Sequence, residues 1–265
     1  MAGLLARLFS GRSGPRRLDE SAWAEVCQAP VFAGLMEDEF ARLRALATQI
    51  LLDKTFSGAA GTEVDDAMAT IIAAFAALPV LNLGYTPYRG WKEIIVYPAE
   101  FIHESEEIDE IGVVHHIRHT RSGEAMEGGP MVLSWDDVLA SGGGEGYNVV
   151  IHEFAHKLDM HAGGVNGRPA LHAGMSAEAW ASAWNAAFAD LGRRAAAGGA
   201  DTVGADEIDP YAAESPAECF AVLSEYFFEA PDVLNAHYPA VYEQLRLYYR
   251  QDPLARIEPH DPANP

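Results

Sequence analysis

The segment Asn148-Val149-Val150-Ile151-His152-Glu153-Phe154-Ala155-His156-Lys157-Leu158-Asp159 sets two histidines four residues apart, with a glutamate directly after the first. On an α-helix a four-residue step turns through about 400°, so His152 and His156 project from one face, one turn apart, close enough to grip one metal ion. Two imidazoles suit zinc. Glu153 is offset by about 100° and does not easily share the metal, yet it can reach a water bound there and take its proton. His152 and His156 are therefore candidate metal ligands and Glu153 a candidate general base. The bare pattern fixes only three positions and also arises by chance on surface helices. Here the break at Gly142 to Gly146, Asn148 as a helix N-cap and the apolar body of Val149, Val150, Ile151, Phe154, Ala155 and Leu158 argue against a solvated face. The glycine run lacks the Gly-Lys-Ser/Thr of a phosphate cradle and is punctuation.

A catalytic zinc takes three protein ligands and keeps one position open for water. The segment from Asp209 to Glu229 offers the best carboxylates. Ser215 as N-cap and Pro216 at the first helical position start a helix on which Glu218, Val222 and Glu225 share a face. Glu218 and Glu225 lie two turns, about 10.5 Å, apart, so one ion does not use both. Spacing alone leaves Glu218 open between ligand and capping box, because Ser-x-x-Glu explains the residue without a metal. Asp159 is open between bracing a ligand and sitting on a helix exterior. His115, His116 and His119 fall in an expected strand and read as solvated surface, with a second metal as the lesser alternative. His161 follows the ligand helix and takes no role from proximity alone.

These residues need elements to hold them. From Ala22 to about Val80, Val31, Leu35, Phe40, Leu43 and Leu46 recur at helical steps, and Ala67 to Ala77 is a second apolar stretch. Between Leu81 and Trp135, short β-like runs (Glu93 to Tyr97, Ile111 to Ile117, Met131 to Trp135) alternate with glycine and proline, predicting a small sheet. Met131 to Ser134 reads as an edge strand, open between pairing with substrate backbone and a purely structural edge capped by Trp135. The acidic run Glu104 to Glu110 reads as a solvated loop. Helices return at Val149 to Met160, Ser176 to about Ala197, Ser215 to Glu229 and Val233 to about Arg250, with Trp180, Trp184, Phe188 and Leu191 as core. Segregated helices and strands indicate an α+β fold. The expected division is a flexible basic N-terminus at 1–20, one domain at 21–250 (a helical subregion 21–80 and a catalytic core 81–250), and a tail at 251–265.

Composition narrows the function. The 265 residues carry 18 basic and 39 acidic side chains, a net charge of −21, and are 49% hydrophobic, which supports a packed core and opposes direct nucleic-acid binding. No apolar run approaches the roughly 20 residues of a membrane span. Two cysteines, Cys27 and Cys219, make no disulfide framework, and together with the interrupted apolar N-terminal run this reads as a cytoplasmic protein.

Several ordered motifs point the same way. His-Glu-Phe-Ala-His-Lys-Leu-Asp at 152–159, Gly-Pro-Met-Val-Leu-Ser-Trp at 129–135, Leu-Gly-Tyr at 83–85 with Val-Tyr-Pro at 96–98, and Glu-Cys-Phe-Ala-Val-Leu-Ser-Glu at 218–225 resemble the Mlc titration factor A family of bacterial zinc metallopeptidases. The likeness runs from about Trp23 to about Tyr249. That family resembles the catalytic domain of anthrax lethal factor, which implies a zincin-like metallopeptidase domain with a small mixed sheet and a helical N-terminal region. It implies one zinc ion on His152, His156 and Glu218, Glu153 as base, and Tyr211, seven residues before Glu218, as hydrogen-bond donor to the oxyanion. Cys219 departs from the aromatic residue more often expected after the third ligand, which touches local packing rather than chemistry. The resemblance implies a peptide substrate attacked from its amino end and, as an alternative function, sequestration of a transcriptional repressor of the Mlc type.

Overall fold

The computed structural model describes residues 15–108, 114–126, 128–197 and 207–257. Its architecture is α+β: helices around a four-stranded mixed sheet, with a separate two-stranded ribbon. Helix α1 spans Glu20–Val26, α2 Glu37–Asp53 and α3 Asp66–Ala77. Asp19 and Asp65 cap α1 and α3 by accepting the N–H groups of Ala22 and Met68. Strand β1 (Thr55–Gly58) interrupts the stretch expected to be wholly helical. Its four residues carry no periodicity that short-range reading can separate from a loop.

Strands β2 (Glu93–Tyr97), β5 (Gly123–Ala125) and β6 (Met131–Ser134) complete the sheet in the order β1-β2-β6-β5, parallel except for β5. The expected edge strand Met131 to Ser134 is thus an interior strand, fully buried between β2 and β5, and β5 forms the edge. Burial on both faces explains its continuous apolar run. Ile94, Val96, Met131 and Leu133 face the main core, whereas Ile95 and Val132 form a small cluster with Ala59 on the other side. Strands β3 (Phe101–Ile108) and β4 (Val114–Arg121) pair antiparallel, so Glu104 to Ile108 is strand rather than loop, and His115, His116 and His119 lie in β4. The rest of the acidic run and residues 111–113 lie outside the described residues.

Helices α4 (Trp135–Ala140), α5 (Val149–Met160), α6 (Ala177–Ala197), α7 (Pro216–Glu229), α8 (Pro231–His237), α9 (Pro239–Tyr249) and α10 (Pro253–Ile257) follow. The single helix expected from Val233 to Arg250 is two, because Pro239 has no N–H to continue the ladder and opens a new helix at its first position. Trp135 begins α4 instead of ending a strand. Within the stretch expected to be a tail, Pro253–Ile257 is helical and Gln251 is buried, donating to the Leu78 carbonyl. Residues 1–14 and 258–265 lie outside the described residues. Arg16, in the stretch expected to be flexible, is 6% exposed and pairs with Asp66 at 3.3 Å.

One apolar core unites α2, α3, the sheet and α5 to α9. Trp180, Trp184 and Leu191 are buried in it, and Phe188 packs against it. Among the described residues no helix is long and apolar enough to cross a membrane. Cys27 and Cys219 are free thiols.

Candidate metal centre

Helix α5 begins where Asn148 Oδ1 accepts the Ile151 N–H at 3.0 Å, and this fixes the start from which His152 and His156 are counted. Helix α7 begins at Ser215, whose hydroxyl accepts the Glu218 N–H, with Pro216 next. The two helices pack together and bring three side chains to one point. Glu218 Oε2 lies 3.0 Å from His152 Nε2 and 3.3 Å from His156 Nε2, and the two Nε2 atoms are 3.2 Å apart. One ligand atom from each residue falls within 4.8 Å of the others.

The donor set can be tested against a cation. Glu225 Oε1 sits 2.8 Å from His152 Nδ1, and the Glu225 carboxylate accepts a hydrogen bond from that nitrogen, leaving Nε2 with a lone pair. That lone pair then faces a carboxylate oxygen and a second imidazole at hydrogen-bond range. Three basic atoms so close repel unless a positive charge is shared among them. A proton on His152 is one such charge. Burial alone would lower the His152 pKa, but the Glu225 charge and the hydrogen bonds to Glu218 and Glu225 outweigh it and hold it well above the usual imidazole range. Glu218 is displaced the other way: burial would raise its pKa, and the hydrogen bonds from His152 and His156 keep it well below the usual carboxylate range. A divalent ion meets the same demand, and two imidazoles with one carboxylate are a donor set that zinc accepts. The residues fit the ion.

Glu153 is 4% exposed and lines the same cleft, of about 370 Å³. Gly123 of β5 lies on it: a Cβ there would come within 2.7 Å of Glu153 Cγ, so any larger residue would push the carboxylate aside. Tyr211 stands on a 3-10 turn, Pro210–Ala213, capped by Asp209 Oδ1 accepting the Tyr211 N–H at 2.8 Å. Its ring centroid is 6.3 Å from that of His152, and the side chain is 46% exposed into the cleft mouth. The structure thus lines one cleft with His152, Glu153, His156, Tyr211 and Glu218.

Other expectations change. Asp159 neither braces a ligand nor lies on a helix exterior: it is 1% exposed and accepts the N–H groups of Asn166, Gly167 and Arg168 at 2.6–2.8 Å. It ties the loop after α5 into a turn. Gly167, at φ +71°, then packs against the backbone of Pro216, where an added Cβ would sit 2.8 Å from the carbonyl carbon. The end of one ligand helix thereby locates the start of the other. Gly167→Ala is expected to cost about 1–3 kcal/mol through strain at positive φ and to weaken metal binding, because relief displaces the turn that carries Glu218; thermal melting and zinc titration check both. His161 is exposed at the end of α5 and does not line the cleft.

Three further residues support this set in roles that the sequence does not assign to them. Spacing bars Glu225 only from sharing an ion with Glu218, and its place on the same helix face is the signal for a brace. It binds His152 Nδ1 and the Asn148 N–H, the latter at 2.6 Å. Beyond it Glu229 accepts from Asn148 Nδ2 and the Gly144 N–H, and burial pushes its carboxyl up to about 7. Lys157 is buried on α5 and donates to the carbonyls of Met126 and Gly129, a partnership with no local sequence signature.

Comparison with known proteins agrees with this geometry. Residues 11–250 match the family described as glucose-regulated metallo-peptidase M90. The chain is 43% identical over 246 residues to "Mlc titration factor A" of Edwardsiella ictaluri (strain 93-146), covering 92% of each. It is 41% identical over 239 residues to the "Mlc titration factor A" proteins of Yersinia pestis (strain Pestoides F) and Yersinia pseudotuberculosis serotype O:1b (strain IP 31758), covering 89% of this chain and 86% of theirs. With a match over nearly the whole length and relatives this similar, the chain belongs to the Mlc titration factor A group of the M90 metallopeptidase family.

Proposed function

We propose that this chain is a zinc-dependent peptidase that cleaves peptides from the amino end, as one domain spanning 21–250 in the cytoplasm. The observation that carries the reading is the convergence of His152, His156 and Glu218 within 4.8 Å beside the buried Glu153. Those three residues would hold one zinc ion, which supplies Lewis-acid polarisation of a carbonyl and acidification of water.

The chain's own groups do the rest. Glu153, packed beneath Gly123, takes the proton of the attacking water and returns it to the departing amine. Tyr211 donates its hydroxyl to the oxygen on which charge develops; a donor of this kind contributes about 2.7–4 kcal/mol to lowering a barrier. The unpaired side of edge strand β5 offers backbone groups to an extended peptide, a role that passes to β5 from Met131 to Ser134. Glu124 and Asp209 also line the cleft, whose lining includes no lysine or arginine among the described residues. That charge balance attracts a free amino terminus.

The test is metal analysis of the purified protein together with hydrolysis of an aminoacyl-anilide panel. Near one equivalent of zinc, loss of turnover with chelator and recovery on adding zinc are expected. Metal-free protein with undiminished turnover would refute the reading.

The names of the relatives favour a second activity, capture of a transcriptional repressor of the Mlc type. Pull-down of purified Mlc by parental protein and by Glu153→Gln checks it. Equal retention by both would make capture independent of hydrolysis, and no retention by either would dismiss it.

A further inference from the structure

Glu153 and Lys157 are four residues apart on α5 and so share one face. Residues 123–126 and 128–129 lie along that face. Gly123 rests against the Glu153 side chain, and the carbonyls of Met126 and Gly129 receive the Lys157 ammonium at 2.7 and 3.0 Å. Lys157 is 3% exposed, and its Nζ stands 4.7 Å from the centre of the Trp91 ring. The turn it grips is closed by the Met126 N–H to Pro130 and the Gly129 N–H to Met126. One neighbour, β6, pairs with β5, whose other side is the sheet edge. A three-residue strand held on one side only is a weak element by itself. A desolvated cation binding two carbonyls is a strong local tether.

We propose that Lys157 is a positioning residue: by gripping the β5–β6 turn from the ligand helix, it sets the height of edge strand β5 above Glu153 and so the seat of an extended peptide. The role rests on the peptidase reading above. It gives one helix three duties, with His152 and His156 toward the ion, Glu153 toward the proton, and Lys157 toward the strand that receives substrate.

Lys157→Met keeps the length and apolar stem while removing the tether. Three measurements test it: zinc content, hydrogen–deuterium exchange, and kcat and KM for an unblocked pentapeptide. Zinc content stays at the parental value. Amides of Glu124 and Met126, which face β6, exchange about tenfold faster, KM rises about tenfold, the equivalent of one backbone hydrogen bond to substrate, and kcat changes far less. Lys157→Gln, which still donates to one carbonyl, falls between parent and Lys157→Met, and its exchange and KM serve as the test if the methionine variant does not fold. Unchanged exchange in β5, or faster exchange spread evenly over α5 and β5, would overturn the proposal. Exchange requires no turnover, so a parent protein inactive on every peptide would refute the peptidase reading while leaving the tether to be judged by exchange alone.

Discussion

Glu153→Gln is expected to lower kcat by about 10²–10⁴ while zinc content stays at the parental level. The amide has nearly the volume of the carboxylate, so the contact with Gly123 persists, but it cannot accept a proton from water. Glu153 contributes no atom to the converging ligand set, which is His152, His156 and Glu218. Single-turnover hydrolysis beside metal analysis separates the two effects. Retained turnover with full metal would remove Glu153 from the chemistry; lost metal would make it a ligand or a support of the fold.

The second large effect is expected at Glu225. Glu225→Gln puts an amide where one carboxylate receives both His152 Nδ1 and the Asn148 N–H. One oxygen cannot serve both, and the amide NH₂ meets a donor at the other. The unsatisfied buried group costs about 1–3 kcal/mol of stability. Loss of the brace lowers metal affinity by about 10–100-fold. The effect concentrates on one ligand, because Glu225 reaches His152 alone, and His156 Nδ1 is buried with no hydrogen-bond partner among the described residues. Zinc titration against a chromogenic chelator, with thermal melts of metal-free protein, checks both parts. Parental affinity in a variant of lowered melting temperature would make Glu225 a residue of the fold alone.

What is legible in the sequence is what neighbours in the chain enforce. Asn148 and Ser215 cap helices through backbone three residues on, Pro216 opens α7, and the four-residue step joins His152 to His156 whatever surrounds them. Such signals survive without a tertiary structure. The misplaced edge strand shows the opposite case: Met131 to Ser134 and Gly123 to Ala125 are both short and extended, and only pairing with β2 decides which is interior. Asp159 carries two meanings in sequence and takes a third, because its three donors come from a loop whose path local pattern does not specify. Lys157 goes unmarked for the same reason: both of its carbonyl partners lie in a distant turn. Glu218 stays divided between cap and ligand until its carboxylate is seen beside both imidazoles, while its own N–H serves the cap.

The Asp159 turn and its seat on Pro216 bear on how this chemistry tolerates change. His156 and Glu218 are remote in sequence, yet the relative placement of their helices is settled by a short splice from the end of α5 to the first turn of α7. The intervening chain is therefore not what spaces the two ligand helices, although it carries Tyr211, and α6 packs on that turn and on Phe220 of α7. Descendants of this scaffold can therefore vary the approach to α6, and with it the outer contour there, without recalibrating the spacing of His156 and Glu218.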